Sequence, residues 1–403
     1  MKKTIIASCV LGGTVLCAQA QSNVTLYGVV DNGLLWQSSS TSRGSTSGGR
    51  SVVKMRSGMW SGSRFGLKGS EDLGGGTKAI FTLEAGADST NGASQWAKGG
   101  GMFTRQAWVG LSNTTYGTLT AGRQYTAYYT LLSPWSPINN RTGHFGAHPG
   151  DIDGLDTTYR TNNSLVYISP TVSGLKLGAS YALGGVPGRF NAGSTWSVGL
   201  QYKNGPVGLA AAFQRINNST LGGGEWGKDS ATQNGNGGTE QLGVSALNNG
   251  YKTAQGQQRI AVTGGYRFSD AFDVSAQYSN VQYVPGTGSK FRDTAIFNTV
   301  GTVLHYRPIK SLDLAGGYSY THATRANGVS SAAQYQQVTM AQYYSLSKRT
   351  GVYAVEAYQR ANGKTLSDGK IVTATATIGD GFNSSPSSSP SQTAVGVGIV
   401  HRF

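Results

Sequence analysis

The stretch RIAVTGGYRFSDAFDVSAQY, at positions 259–278, carries the pattern that decides the fold. On both sides of a short polar break at 269–271, apolar and small residues alternate with polar ones. A period of two places the two sets on opposite faces of a β-strand. This stretch therefore predicts two antiparallel strands joined by a tight turn, each with one apolar face and one polar face.

The same repeat recurs along the chain, for example at 175–181, 196–202 and 312–321. The segments run about nine to eleven residues, the length that a tilted strand needs to cross a bilayer. A β-sandwich would also alternate, but its strands are nearer five or six residues long. Aromatic residues gather at the ends of the apolar faces, as a membrane-interface girdle requires.

The connections between these segments alternate in length. Short turns are predicted at Leu73–Gly76, Asn113–Gly117, Pro170–Gly174, Lys203–Pro206, Ser269–Ala271, Pro308–Ser311 and Ser347–Gly351. Long polar loops are predicted at 38–51, 89–102, 123–158, 183–194, 216–258, 284–294, 325–333 and 361–391. Short turns on one side and long loops on the other are typical of an outer-membrane barrel. The count predicts an all-β, 16-stranded antiparallel barrel in which Thr393 to Phe403 pairs with Val24 to Leu35.

Composition agrees with a barrel and not with a soluble core. The 403 residues include 60 glycines and 21 tyrosines but only 10 prolines, and 38% are hydrophobic. After the leader, no window holds 18 consecutive apolar residues, so no helical membrane span is predicted. Low hydropathy suits a wall in which only alternate residues face lipid.

The first twenty residues read as a secretory leader. Lys2 and Lys3 form its charged start, an apolar run follows to Leu16, and Ala18 and Ala20 suit signal peptidase. We expect a signal peptide at 1–20 and the barrel at 21–403. The apolar run is too short for a membrane anchor, and Leu16 before Cys17 does not fit a lipoprotein signal. Both cysteines lie in the leader, so the mature chain would contain no thiol.

Formal net charge is +15, and removing Lys2 and Lys3 leaves +13 (15 − 2) for the mature chain. The basic residues are scattered one or two per segment and do not form one patch. This pattern argues against nucleic acid as a partner. A basic lumen that favours anions is the better explanation.

Four motifs resemble the trimeric general porins of β-proteobacteria, the neisserial type. They are VTLYG at 24–28, SRFGLKGSEDLGGG at 63–76, YGTLTAGRQ at 116–124 and the ending GIVHRF at 398–403. The resemblance implies a homotrimer in outer-membrane lipid whose third long loop folds into the lumen. It also implies passive passage of ions and small hydrophilic solutes, with no cofactor and no catalytic residue. Small residues predicted on outward faces (Gly28, Ala79, Ala85 and Gly110) would permit close subunit contact.

The family carries arginines on the wall that faces this loop, and the matching positions are Arg64, Arg105 and Arg160. Lys68, on the same predicted face as Arg64, and Arg123, where the third loop begins, complete the expected basic wall. Arg105 fits less well, because strict alternation groups it with the apolar residues that follow it.

The loop itself carries Asp151, Asp153 and Asp156. An acidic loop against a basic wall would set a transverse field at the narrowest point of the pore. A calcium loop starting at Asp151 is not supported, because its sixth position holds Asp156 and its twelfth holds Asn162. No metal site is predicted.

Other functions remain open at this point. An outer-membrane enzyme is disfavoured, since none of the five histidines lies in a hydrolase or metalloprotease motif. A substrate-specific channel, or a barrel with an adhesin or receptor role for loop 216–258, is the alternative to a general pore.

Overall fold

The segments with alternating apolar and polar residues fold into long antiparallel strands that form one sheet closed on itself. The computed structural model describes residues 23–41, 45, 47–95, 101–156, 159–224, 226, 247, 249–379 and 386–403. The predicted leader, with both cysteines, lies outside the described residues. The strands of the first half are β1 Asn23–Ser40, β2 Arg50–Ser57, β3 Arg64–Gly74, β4 Thr77–Ala87, β5 Ser94–Gln95, β6 Gln106–Asn113, β7 Gly117–Gln124, β8 Thr161–Ile168 and β9 Leu175–Ala182. Those of the second half are β10 Thr195–Asn204, β11 Val207–Asn217, β12 Gly256–Arg267, β13 Phe272–Val284, β14 Ala295–Ile309, β15 Leu312–Ala323, β16 Gln334–Ser345, β17 Thr350–Asn362, β18 Lys364–Ser367, β19 Lys370–Thr373 and β20 Ser391–Arg402.

Sixteen wall strands make the barrel, which confirms the predicted count and closure. β2 and β3 are two segments of one wall strand, since β1 pairs with both of them. β5 is a two-residue addition to the edge of β4. The wall closes where β1 pairs with β20, from Val29 opposite Arg402 to Gln37 opposite Ala394. A closed barrel leaves no open sheet edge.

Burial along the strands is inverted relative to a soluble protein. Large apolar side chains such as Leu177, Leu200 and Leu304 are exposed. Their polar neighbours on the other face, such as Ser279 and Thr299, are buried. An apolar outer band around a polar interior is the arrangement that a bilayer requires.

The long loop after β7 contains the helix α1, Ala127–Leu132, followed by single helical turns at Ser133–Trp135, Ile138–Asn140, His144–Gly146 and Pro149–Asp151. Elsewhere in the described residues, helical structure is limited to one turn at Asn249–Tyr251. No helix within the described residues has the length and apolar character to cross a membrane. The loop at 361–391 contains the hairpin β18–β19, which the sequence pattern did not predict.

Polar side chains of the wall satisfy the backbone of the third loop. Gln201 donates to the carbonyl of Leu131 at 2.6 Å, and Gln277 donates to that of Trp135 at 2.6 Å. Gln337 donates to the carbonyls of Phe145 and Ala147 at 2.8 and 2.9 Å. Buried backbone groups need such partners, so the polar face of the wall specifies where this loop lies.

Candidate functional site

The second wall strand is interrupted at residues 58–63, and this break builds one side of the site. Gly58 has φ +77°, a conformation that glycine adopts without strain. The backbone N–H groups of Trp60 and Ser61 donate to the Asp31 carboxylate at 2.7 and 2.6 Å. The Tyr353 hydroxyl also donates to this carboxylate. Asp31 thus fixes the backbone that leads into Arg64.

Arg64 and Arg105 meet at one carboxylate, that of Glu84 on β4. Arg105 Nε lies 2.7 Å from Glu84 Oε1, and Arg64 Nε lies 3.6 Å from Oε2. The Tyr27 hydroxyl donates to the same carboxylate at 3.0 Å. Two guanidinium groups therefore share one negative charge, which leaves the group with a net positive charge.

Arg105 reaches the polar face because it precedes β6 and does not follow its alternation. Its backbone N–H donates to the Glu84 carbonyl at 3.0 Å. Val109 and Leu111 within the strand point outward and are exposed, as the pattern predicts for their parity. Strict alternation would have placed Arg105 on the apolar face, but the strand begins only at Gln106, so the alternation does not apply to Arg105.

Arg160 joins this group through Tyr125. Its Nη2 donates to the Tyr125 hydroxyl at 2.6 Å, and Arg105 Nη2 donates to it at 3.2 Å. The Arg160 guanidinium also lies 4.6 Å from the centre of the Tyr125 ring, which stacks on Tyr129. Burial raises the pKa of the Tyr125 hydroxyl, but the positive charges of Arg105 and Arg160 outweigh it and lower this pKa.

The other two residues of the expected basic wall lie in different surroundings. Arg123 donates to the Thr104 carbonyl at 2.7 Å and to Asn162 Oδ1 at 2.6 Å. A register irregularity between Gly122 and Gln124 accompanies this position. Lys68 is exposed and lies 5.4 Å from the centre of the Tyr27 ring. Arg123 thus braces the strand ends beside Arg160, and Lys68 lies along the wall beyond Arg64.

The three loop aspartates are buried within the loop and do not face the arginines across an opening, contrary to expectation. Asp153 lies 2.6 Å from His148 Nδ1 and accepts from Ser279 of β13 at 2.7 Å. Asp151 accepts from the Asp156 backbone N–H at 3.1 Å. Asp156 accepts from the Ile138 backbone N–H at 3.1 Å. The physical reason is that a loop buried against the wall must satisfy its own turns, and carboxylates do this.

The ion pair of His148 and Asp153 is completely buried. Burial lowers the pKa of His148, but the charge and hydrogen bond of Asp153 outweigh it and raise this pKa. Burial raises the pKa of Asp153, but His148 and Ser279 outweigh it and lower this pKa. The pair joins two parts of the loop, and Asp153 attaches it to the wall through Ser279.

A cavity of about 230 Å³ separates the arginines from the loop. Its wall side includes Arg64 and Arg105, and its loop side includes Tyr125, Arg141 and His144. None of Asp151, Asp153 and Asp156 lines it. The charged side chains around the cavity are therefore basic on both sides.

Sequence reasoning missed Glu84, Tyr125 and Arg141. The alternation of β4 could have indicated Glu84, because it places Glu84 on the same polar face as Thr82. Tyr125 and Arg141 lie in the loop, where no periodicity reveals which side chains turn toward the wall. Among the described residues, no group of three or more histidines, aspartates, glutamates or cysteines could hold a metal ion.

Comparison with known proteins agrees with this architecture. The family model described as Gram-negative porin matches residues 7–364. An outer membrane porin protein of Bordetella pertussis is 29% identical over 427 residues and is covered, like this chain, over its full length. The major outer membrane protein P.IB of Neisseria meningitidis is 32% identical over 222 residues, which cover 53% of this chain and 60% of that protein.

Among solved structures, the fold is similar to that of the anion-selective porin from Comamonas acidovorans. The TM-score is 0.66 at 20% identity, with 95% of this chain and all of that chain covered. Salmonella typhi OmpF gives a TM-score of 0.55 at 16% identity, with 94% and 97% covered. These structural matches show the fold, and the match to the family model shows the class of protein. The chain belongs to the Gram-negative porin family and forms a channel in the outer membrane.

Proposed function

We propose that this porin is an anion-preferring passive pore whose constriction lies between Arg64, Arg105 and Arg160 on the wall and the third loop. The observation that carries the proposal is the charge around the 230 Å³ cavity. Glu84 offsets only one of the guanidinium groups, and Asp151, Asp153 and Asp156 do not line the cavity. The similar fold of a porin described as anion-selective also supports a preference for anions.

The physical basis is the low dielectric constant of the surrounding wall. Fixed charges in a narrow aqueous path act on a passing ion with less screening than at an open surface. Guanidinium groups stay ionised at any physiological pH. The excess of positive charge therefore lowers the barrier for anions and raises it for cations.

The third loop is proposed to narrow the lumen. Its support is the set of hydrogen bonds from polar side chains of β10, β13 and β16 to loop carbonyls. Loop removal should increase single-channel conductance, since it would widen the path.

The test is the reversal potential of the pore in a potassium chloride gradient across a planar bilayer. We expect an anion-selective wild type and a strong loss of selectivity when Arg64, Arg105 and Arg160 are all changed to alanine. A cation-selective wild type, or an unchanged triple variant, would place the filter elsewhere. Exposed Arg189 in the long loop after β9 supplies a control substitution outside the proposed filter.

We also propose a homotrimer. Gly28, Ala79 and Ala85 have the outward parity of Phe65 and Leu111, as pairings across the wall indicate. Gly110 does not: it pairs with Ile80 on the face of Glu84, so it cannot contribute to an outer contact as expected. Mass measurement in mild detergent, without heating, tests the assembly, and a monomer would contradict it.

A further inference from the structure

Arg141 lies where two cavities of the channel interior meet. It lines the 230 Å³ cavity that contains Arg64 and Arg105, and it also lines a larger cavity of about 750 Å³. The larger cavity lies at the short-turn end of the barrel, because residues 270–271 and 308–310 of two short turns line it. Arg141 and Asn139 are thus shared by the linings of the two cavities.

The backbone holds Arg141 in an unusual conformation. It ends the helical turn Ile138–Asn140 with φ 74° and ψ 20°, in the left-handed region. A residue with a long side chain rarely adopts this region, and such strain tends to occur at functional sites. The turn is held by a hydrogen bond from Thr142 Oγ1 to the Pro137 carbonyl at 2.8 Å.

Two acidic groups near the larger cavity, Asp273 and Asp313, already have partners. His305 lies 2.8 Å from Asp273 and 2.8 Å from Asp313, and Arg307 lies 2.8 Å from Asp313. Asp270, on a short turn, is the other acidic residue that lines the cavity.

Three cations that line the same cavity have no such partner. Within the described residues, the side chains of Arg141, Arg267 and Lys310 form no hydrogen bond or ion pair. Four cationic side chains, those of Arg141, Arg267, Arg307 and Lys310, line the cavity against two carboxylates, those of Asp270 and Asp273, so the lining carries an excess of positive charge.

We propose that Arg141, with Arg267 and Lys310, forms an anion-binding site at the short-turn end of the pore. The class of ligand that fits is an oxyanion with two or more negative charges, such as a polycarboxylate or phosphate. Arg141 then determines selectivity from the loop side, because it contacts the anion in both cavities. This inference rests on the proposed anion-preferring pore.

Guanidinium and ammonium groups suit this ligand. Arginine binds carboxylate and phosphate oxygens in a forked geometry, and charge-assisted hydrogen bonds of this kind are stronger than neutral ones. The cavity, of about 750 Å³, is large enough for a polycarboxylate, since its volume is in the range of small-molecule sites. A monovalent ion such as chloride would pass with a shorter residence.

The experiment measures block of the chloride current by citrate, added to one side of a bilayer at a time. We expect wild-type pores to be blocked more strongly from one side, since the site lies at one end. Arg141→Asn removes the charge, and asparagine tolerates the left-handed backbone. It should raise the half-blocking citrate concentration about tenfold and reduce the difference between sides, because one charged hydrogen bond is lost.

Two further variants separate this effect from misfolding. Arg141→Gly fits the same backbone and should behave like Arg141→Asn, whereas Arg189→Asn should leave the block unchanged. Unheated assemblies and melting temperatures like those of wild type show that the variants fold.

Block that is equal in Arg141→Asn and wild-type pores, with wild type still anion-selective, overturns this inference and leaves the proposed function intact. A wild type that selects cations overturns the proposed function itself. The two failures are therefore distinguishable in one set of recordings.

Discussion

Glu84 provides a sharp test of the site, because its carboxylate is shared by the arginines that are proposed to select anions. It lies 2.7 Å from Arg105 and 3.6 Å from Arg64, and its side chain is 5% exposed. Glu84→Gln preserves the shape and two polar atoms but removes the charge. The net charge beside the cavity then rises by one unit.

The size of the effect follows from Coulomb's law. An ion that passes about 8 Å from the carboxylate has an electrostatic interaction energy with it of about 2 kcal/mol, at an effective dielectric constant of about 20. Screening over a Debye length of about 10 Å at 0.1 M salt reduces this to roughly 1 kcal/mol. The ratio of chloride to potassium permeability should therefore rise about fivefold or more, with a smaller rise at 1 M salt.

The assay is the reversal potential of Glu84→Gln pores in a potassium chloride gradient. Glu84→Asp keeps the charge and should stay close to wild type. Glu71→Gln, at an exposed position of β3, is the matched control for the substitution itself. An unchanged permeability ratio in Glu84→Gln pores would refute the reasoning, since it would mean that ions do not pass near the arginines.

Four other outcomes are expected. Replacing His148 by alanine leaves Asp153 buried without its partner, which should destabilise the folded barrel by about 3–5 kcal/mol and lower its melting temperature. The lowered pKa of Asp153 means that its contribution to the stability of the fold is present above its ordinary pKa of about 4 and is lost as pH falls through the lowered pKa. The raised pKa of His148 means that its contribution to stability is present below about pH 6.5 and is lost as pH rises through the raised pKa. The melting temperature should therefore show a plateau between the lowered pKa of Asp153 and the raised pKa of His148. A melting temperature that stays constant down to pH 1 would argue against the pair. Gly154→Ala should destabilise the third loop by about 1–3 kcal/mol, because a Cβ at φ +68° would lie 2.0 Å from Arg259 Nη1; more frequent channel closures would report it, and wild-type recordings would contradict it. Finally, intact mass of the exported protein should correspond to a chain that starts at Gln21, and a thiol reagent should find no cysteine; labelling of one or two thiols would show that the leader is retained.

The wall was predictable from sequence because its physics is local. Alternation in 259–278 assigns each side chain to a face, and the structure confirms it in the exposed Val262 and the buried Thr263. The count of strands followed from the alternation of short and long connections. The hairpin β18–β19 was missed, since its strands are only four residues each.

The site was predictable only in part, because it depends on pairs that are distant in sequence. The resemblance supplied Arg64, Arg105 and Arg160, which the structure brings together around Glu84 and Tyr125. Whether a loop carboxylate turns toward the lumen or toward a loop N–H is decided by tertiary packing. Asp156 turned to Ile138, and no local pattern distinguishes these two outcomes.

The alternation of faces also bears on how such a chain reaches its membrane. Mean hydropathy is −0.27, and a segment such as Phe272–Tyr278 has an apolar residue only at every second position. An extended, unpaired chain is therefore too polar to enter a bilayer and can cross an aqueous compartment. The apolar outer surface exists only after the strands have paired, since pairing is what brings alternate residues onto one face. The hydrophobicity of this protein is thus a property of its folded form and not of its polypeptide.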